Sequence, residues 1–274
     1  MDQLFLGDRL HLRLLLGSPA AHPRRAVEHQ VAANYTLANI VSTRIPKPPR
    51  LIRVAPQWQT WASHLPALPQ LGSPELGADV VTHRTSWVRR FHTPAGIAFV
   101  KTYEYARWSD LVRSLSSRSL PFTASRARRE FDAMNWLNAH GLLTATPLLA
   151  AEWRTAGILR RAILVSAAAA GEPATTVFEQ LPDAARADLA RAIGRFVAAL
   201  HATGFRDGNL DLRNLIVAPA AAGWSVAKID SPRHRLVRAG PGEDRHTRAD
   251  WARLTPQLER WSLATVARAA AARP

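Results

Sequence analysis

The stretch His201-Ala-Thr-Gly-Phe-Arg-Asp-Gly-Asn-Leu-Asp-Leu-Arg-Asn-Leu-Ile-Val217, followed by Val226-Ala-Lys-Ile-Asp230, constrains the fold more than any other part of this chain. It reads as a helix end, a polar loop and a short hairpin. Leu189, Ile193, Phe196, Val197 and Leu200 form one stripe at i, i+4, i+7, i+8 and i+11, which predicts a helix from Asp183 to His201. Asn214 stands just before the apolar run Leu215-Ile216-Val217, and Asp230 just after the run Val226 to Ile229. If these runs pair antiparallel across the Ala/Gly turn at 218–225, both oxygen-bearing side chains arrive at the same end. An amide and a carboxylate there can hold a magnesium ion, which takes few protein oxygens and completes its shell with water and phosphate.

At 274 residues, 47% of them hydrophobic and nine of them Trp, the chain can bury the core of one medium domain or two small lobes. It has no Cys, so a disulfide framework, a thiolate metal site and a Cys nucleophile are excluded, which fits a reducing cytoplasm. The ten His show no spacing suited to zinc. Ala162 to Ala170 is too short to span a membrane, and the Leu-rich start is interrupted by Asp8, Arg9, His11 and Arg13. A formal charge of +15 calls for a polyanionic partner: nucleic acid, an anionic membrane face or a phosphorylated substrate. No helix-turn-helix, RNP or finger pattern accompanies the charge, and much of it is scattered Arg, so sequence-specific nucleic-acid binding is disfavoured.

Residues 1–55 read as a peripheral, flexible extension, with Pro-Arg stretches at Ala21 to Arg25 and Arg44 to Arg50 and a weak membrane-surface pattern at Leu4 to Leu16. Short strands follow at Val80-Val81, Trp87 to Phe91 and Ile97 to Tyr103, the last two divided by the turn His92 to Gly96. Ser125 caps a helix that runs to about His140, with Gly141 as its stop. The segment Thr144 to Leu149 and a further β region, Ile158 to Ser166, lead to a break at 167–173 that includes Gly171-Glu-Pro173, and Asp250 to Ala272 reads as a terminal helix. This order predicts an α+β fold in two lobes: a β-rich N-lobe over 56–170 and a short, mainly helical C-lobe over 171–274, hinged at the break. The Trp residues are expected in core and lobe packing; only Trp58 and Trp61, in a Pro-rich region, leave room for a ligand role.

Lys101 lies in an otherwise apolar and aromatic strand, on the same face as Phe99 and Tyr103. Glu130 shares a helical stripe with Met134 and Leu137. A carboxylate there is costly to bury unless a cation meets it, and Lys101 is the candidate, although both residues could instead reach solvent. With the loop and Asp230, these residues resemble the protein-kinase-like superfamily. Within it, Phe99-Val-Lys-Thr-Tyr-Glu-Tyr105, Ser125-Arg-Ala-Arg-Arg-Glu130, Gly141-Leu-Leu-Thr-Ala-Thr-Pro147 and Arg248-Ala-Asp-Trp-Ala-Arg-Leu254 are similar to the lipopolysaccharide core kinases, which act on heptose or Kdo sugars. The resemblance covers about residues 79–256. It implies a bilobal protein-kinase-like fold, ATP and Mg2+ as cofactors, and transfer of the γ-phosphoryl group to a core-sugar hydroxyl. Lys101 and Glu130 would hold phosphates, and Asn214 and Asp230 the metal. The implied partner is an anionic core sugar or other phosphorylated glycolipid, met in the cytoplasm at the inner face of the inner membrane.

Three departures qualify the resemblance. Thr82-His-Arg-Thr-Ser86 stands where a Gly-rich phosphate loop belongs, leaving Arg84 as a substitute phosphate contact. Ser231-Pro232 follows Asp230 in place of Phe-Gly. Asn209 stands where the family carries the Asp that accepts the hydroxyl proton, five residues before Asn214. An amide cannot take that proton, and losing a general base costs about 10²–10⁴ in rate. Phosphoryl transfer depends mainly on positioning and charge neutralisation, so the loss need not be fatal. Asp207 or Asp211 could serve as a displaced base, Asp211 could orient the loop, or both could only hold it through Asx-type bonds. A pseudokinase that binds nucleotide or a partner without catalysis is the alternative. His201 reads as a packed helix-end residue.

Overall fold

The computed structural model describes residues 49–105, 123–238 and 244–272. Strand β1 (Arg50–Val54) leads through two short helices, α1 (Trp58–Ala62) and α2 (Leu68–Leu71), into the meander β2 (Ala78–His83), β3 (Ser86–Thr93) and β4 (Gly96–Glu104). Helix α3 (Arg126–Ala139) follows, and then β5 (Thr146–Thr155) and β6 (Ile158–Ala167) complete a six-stranded sheet in the order β1-β5-β6-β4-β3-β2. The turns form where the sequence marks them: Thr93 pairs with Gly96, and His83 with Ser86. Ser125 accepts the Arg128 N–H at 3.1 Å to start α3, and Gly141 reverses the chain beyond its end at φ 72.

Alternation across β4 sends Ala98 and Val100 to one face and Lys101 and Tyr103 to the other. The first face packs under Trp58, Trp61, Leu65, Leu68 and Leu71; the second meets Phe131 and Met134 of α3. Trp58 and Trp61 are only 4% and 9% exposed and belong to the core. Arg50–Val54 pairs with β5, and residues after it cover an apolar sheet face. The Leu-rich start and the stretch at Ala21 to Arg25 lie outside the described residues.

The chain crosses to the second lobe at 168–171. Gly171 adopts φ 112, and a Cβ there would overlap the Val217 carbonyl, so the crossing requires glycine. Beyond it come β7 (Glu172–Pro173), α4 (Ala174–Gln180), α5 (Asp183–Ala202) and β8 (Phe205–Arg206). A 3-10 turn at Leu212–Asn214 opens the hairpin β9 (Leu215–Ala220) and β10 (Gly223–Lys228), and β11 (Arg235–Leu236) pairs back on β8. Val217 faces Val226 as the sequence implied, but the strands extend to Ala220 and Gly223 and tighten the turn.

The segment expected as one terminal helix is two: α6 (Arg245–Glu259) and α7 (Ala264–Ala271). Ser262 at φ 57 breaks the helix, and the Leu263 N–H closes on the Leu258 carbonyl at 3.1 Å. The reversal lets both pieces bury apolar residues with the α5 stripe, which a straight helix could not do: Trp251, Leu254 and Leu258 from α6, Ala264 and Ala267 from α7. The backbones of α5 and α7 cross so closely at Gly194 that a Cβ would strike the Ala267 carbonyl. No helix of the described residues is long and apolar enough to cross a membrane.

Candidate active site

Two lobes meet at Lys101. Its ammonium lies 3.0 Å from both Glu130 carboxylate oxygens and also bonds Asp230, so one cation joins β4, α3 and the segment after β10. The Tyr103 hydroxyl donates to Glu130 as well. Burial works against the Lys101 charge, but Glu130, then Tyr103 and Asp230, outweigh it and hold the pKa well above the ordinary lysine value. For Asp230, burial pushes upward, yet the charge and hydrogen bond of Lys101, with Lys228 and Asn209, bring the carboxyl below the usual range. Lys101 therefore stays a cation and Asp230 an anion at neutral pH.

The hairpin brings Asn214 and Asp230 to one end. The Ile229 N–H bonds the Asn214 carbonyl at 2.9 Å, which closes the open end of β9 and β10. Asn214 donates its side-chain N–H to the Asn209 carbonyl at 3.2 Å, a bond that does not use its amide oxygen. Asn209 donates to the Asp230 carboxylate at 2.9 Å and to the Asp230 carbonyl at 3.2 Å. The residue in the place of the missing base thus touches the metal candidate directly.

The flanking carboxylates do something else. Asp207 has no exposed side-chain surface and pairs with the equally buried Lys228 at 3.2 Å. Burial raises its pKa, with Lys228 and the Ser231 hydroxyl opposing the rise. The Asp207 carboxylate, which was one candidate for a displaced base, thus faces Lys228 and not the surface. Asp211 accepts the Arg213 N–H and two guanidinium bonds, each at 3.0 Å. The Arg213 side-chain bond leads the lowering of its pKa and makes it a weak base. Capping and orienting the turn is what this geometry gives Asp211.

Sequence reasoning missed the residues beneath the loop. Asp250 accepts the N–H groups of Asp207 at 3.0 Å and Gly208 at 2.8 Å, and its Oδ2 lies 3.1 Å from His201 Nε2. His201 is therefore bonded as well as packed. Arg206 bonds Asp244 at 2.9 Å and the His201 carbonyl at 2.7 Å. A signal existed: Asp250 shares a helical stripe with Leu254, and Lys228 follows Val226 at the inward period of the strand.

Hard oxygen donors suit magnesium, and Asn214 and Asp230 supply them at one end of a hairpin. Two such donors would fit an ion that keeps water and phosphate around it; among the described residues no three His, Cys, Asp or Glu gather as a metal cage. Arg84 sits exposed in the β2–β3 turn.

A β-rich lobe with a Lys–Glu pair, a helical lobe, and a loop Asn facing an Asp beyond a hairpin define a protein-kinase-like phosphotransferase. The model of the lipopolysaccharide kinase (Kdo/WaaP) family matches residues 78–271, and the chain belongs to that family, a kinase of the lipopolysaccharide-core type. Among solved structures it is similar to one described as WaaP in complex with acyl carrier protein. The two share 20% identity over 82% of this chain and 90% of that one, with a TM-score of 0.56, so they share a fold. No curated protein matches the chain.

Proposed function

We propose that the chain transfers the γ-phosphoryl group of ATP to a hydroxyl of a lipopolysaccharide core sugar without a carboxylate base on its loop. The observation that carries this reading is the convergence of Lys101, Glu130, Asp230 and Asn209 in one connected network across the two lobes. Lys101, steadied by Glu130, holds phosphate oxygens, and Arg84 closes over them from the β2–β3 turn in place of glycine amides. Asn214 and Asp230 hold magnesium, which when bound neutralises charge on the phosphates. The Asn209 amide oxygen orients the acceptor hydroxyl but takes no proton. In a loose transition state the hydroxyl keeps its proton until late, and the transferred phosphoryl oxygens can accept it. The +15 charge suits an anionic glycolipid acceptor at the inner face of the inner membrane, and an acidic partner such as acyl carrier protein.

The occupied carboxylates favour a second reading, nucleotide binding without transfer. Single-turnover reactions with labelled ATP and a dephosphorylated core oligosaccharide separate the two. Label should move to the sugar, and Lys101→Met should reduce the rate by about 10² or more, the scale of losing one preorganised electrostatic contact. Nucleotide binding with no transfer to any core sugar would install the second reading.

A further inference from the structure

Lys228 is a lysine with no exposed side-chain surface, paired with an Asp that has none either. A buried ion pair is a poor stabiliser, because desolvation consumes most of its attraction and apolar residues of similar volume often do as well. Its position shows a different use. The ammonium donates to the Ile229 carbonyl, lies 3.3 Å from the Asp230 carbonyl as donor, and meets Asp207 of the catalytic loop. Two donors of one cation therefore hold the backbone carrying the candidate metal ligand, and its charge pairs with the loop at Asp207.

That backbone needs holding. Asp230 adopts φ 58, a left-handed conformation that is strained for a residue with a Cβ. The Asp230 carbonyl accepts from Lys228 on one side and from Asn209 on the other. Lys228 is itself fixed from the N-lobe, since its N–H bonds the Leu143 carbonyl at 2.9 Å and its carbonyl accepts the Thr144 hydroxyl. Leu143 and Thr144 lie just beyond α3, the helix that carries Glu130.

We propose that Lys228 is a positioning residue for magnesium binding: through its pair with Asp207 it locks the left-handed turn that aims Asp230. The proposal rests on the reading of Asp230 as metal ligand.

The test is a Mg2+ titration of the thermal stabilisation given by saturating ATP. Lys228→Met should raise the Mg2+ concentration for half-maximal stabilisation at least tenfold while leaving the metal-free ATP shift unchanged. That variant strands the Asp207 charge, so a second, Asp207→Asn with Lys228→Gln, removes both charges and keeps amide donors. The double variant should melt near wild type without ligand and still need at least tenfold more Mg2+. A wild-type Mg2+ requirement in the double variant would reduce the pair to core structure and overturn the proposal, as would failure of both variants to fold. Wild-type protein with no Mg2+-dependent ATP stabilisation would instead overturn the reading of the site, and the proposal with it.

Discussion

Asn209 donates from its side-chain nitrogen to both the Asp230 carboxylate and the Asp230 carbonyl. An Asp in its place would set two carboxylates at hydrogen-bond distance, an arrangement that needs a shared proton or a cation between them. Asn209→Asp should therefore lower the melting temperature without metal and recover with Mg2+. In the metal-loaded enzyme it should raise single-turnover transfer by a substantial part of the roughly 10²–10⁴ expected of a general base. An unchanged rate would mean that transfer has no use for a base at that position. At this scale Lys101, Glu130, Asn214 and Asp230 were legible because each interrupts or bounds an apolar pattern. The roles of Asp207 and Asp211 were not. Spacing put both beside the vacancy, but their partners Lys228 and Arg213 are recognised only once β10 and the 3-10 turn have folded.

Helix α6 carries the floor of the loop, with Asp250 under Asp207 and Gly208 and Asp244 at its start. Asp244 caps the helix by accepting the His246 and Thr247 N–H groups and also pairs with Arg206. Desolvation is the largest single influence and pushes its carboxyl upward, but the Thr247 N–H, Arg206 and the His246 N–H together outweigh it, and the pKa falls below the usual range. A depressed folded-state pKa gives stability that is present above the unfolded value, near pH 3.9, and is lost as pH falls through the folded one. Denaturant midpoints measured between pH 5 and pH 2 should decline less steeply for Asp244→Asn than for wild type; parallel declines would show that the cap carries no such linkage. Elements with one clear face, such as α5 and the β9–β10 hairpin, were readable from periodicity. Strand β5 was not, because Pro147 to Trp153 are buried without a break between the sheet's two coverings, and alternation vanishes when both faces are apolar. The break at Ser262 was equally silent, since Pro256 sits inside α6 and no glycine marks the turn.

The whole molecule joins a sheet covered on both faces to a helical lobe through a crossing at Gly171, with the Lys101 contacts spanning the two. Two-lobe order was visible in the sequence of β-rich and helical segments. The covering of the outer sheet face by Trp58, Trp61, Leu65, Leu68 and Leu71 was not, because a Pro-rich stretch with few periodic positions shows no face until its Trp and Leu side chains have a sheet to meet. The central claim is that this junction is a Mg·ATP site with Asp230 as its metal ligand. Thermal unfolding of wild type and Asp230→Ala, each with and without Mg·ATP, tests it most directly. At free ligand about 100 times the dissociation constant, wild type should gain about 2.7 kcal/mol, and the variant should lose most of that gain. Equal stabilisation of the two proteins would contradict the claim.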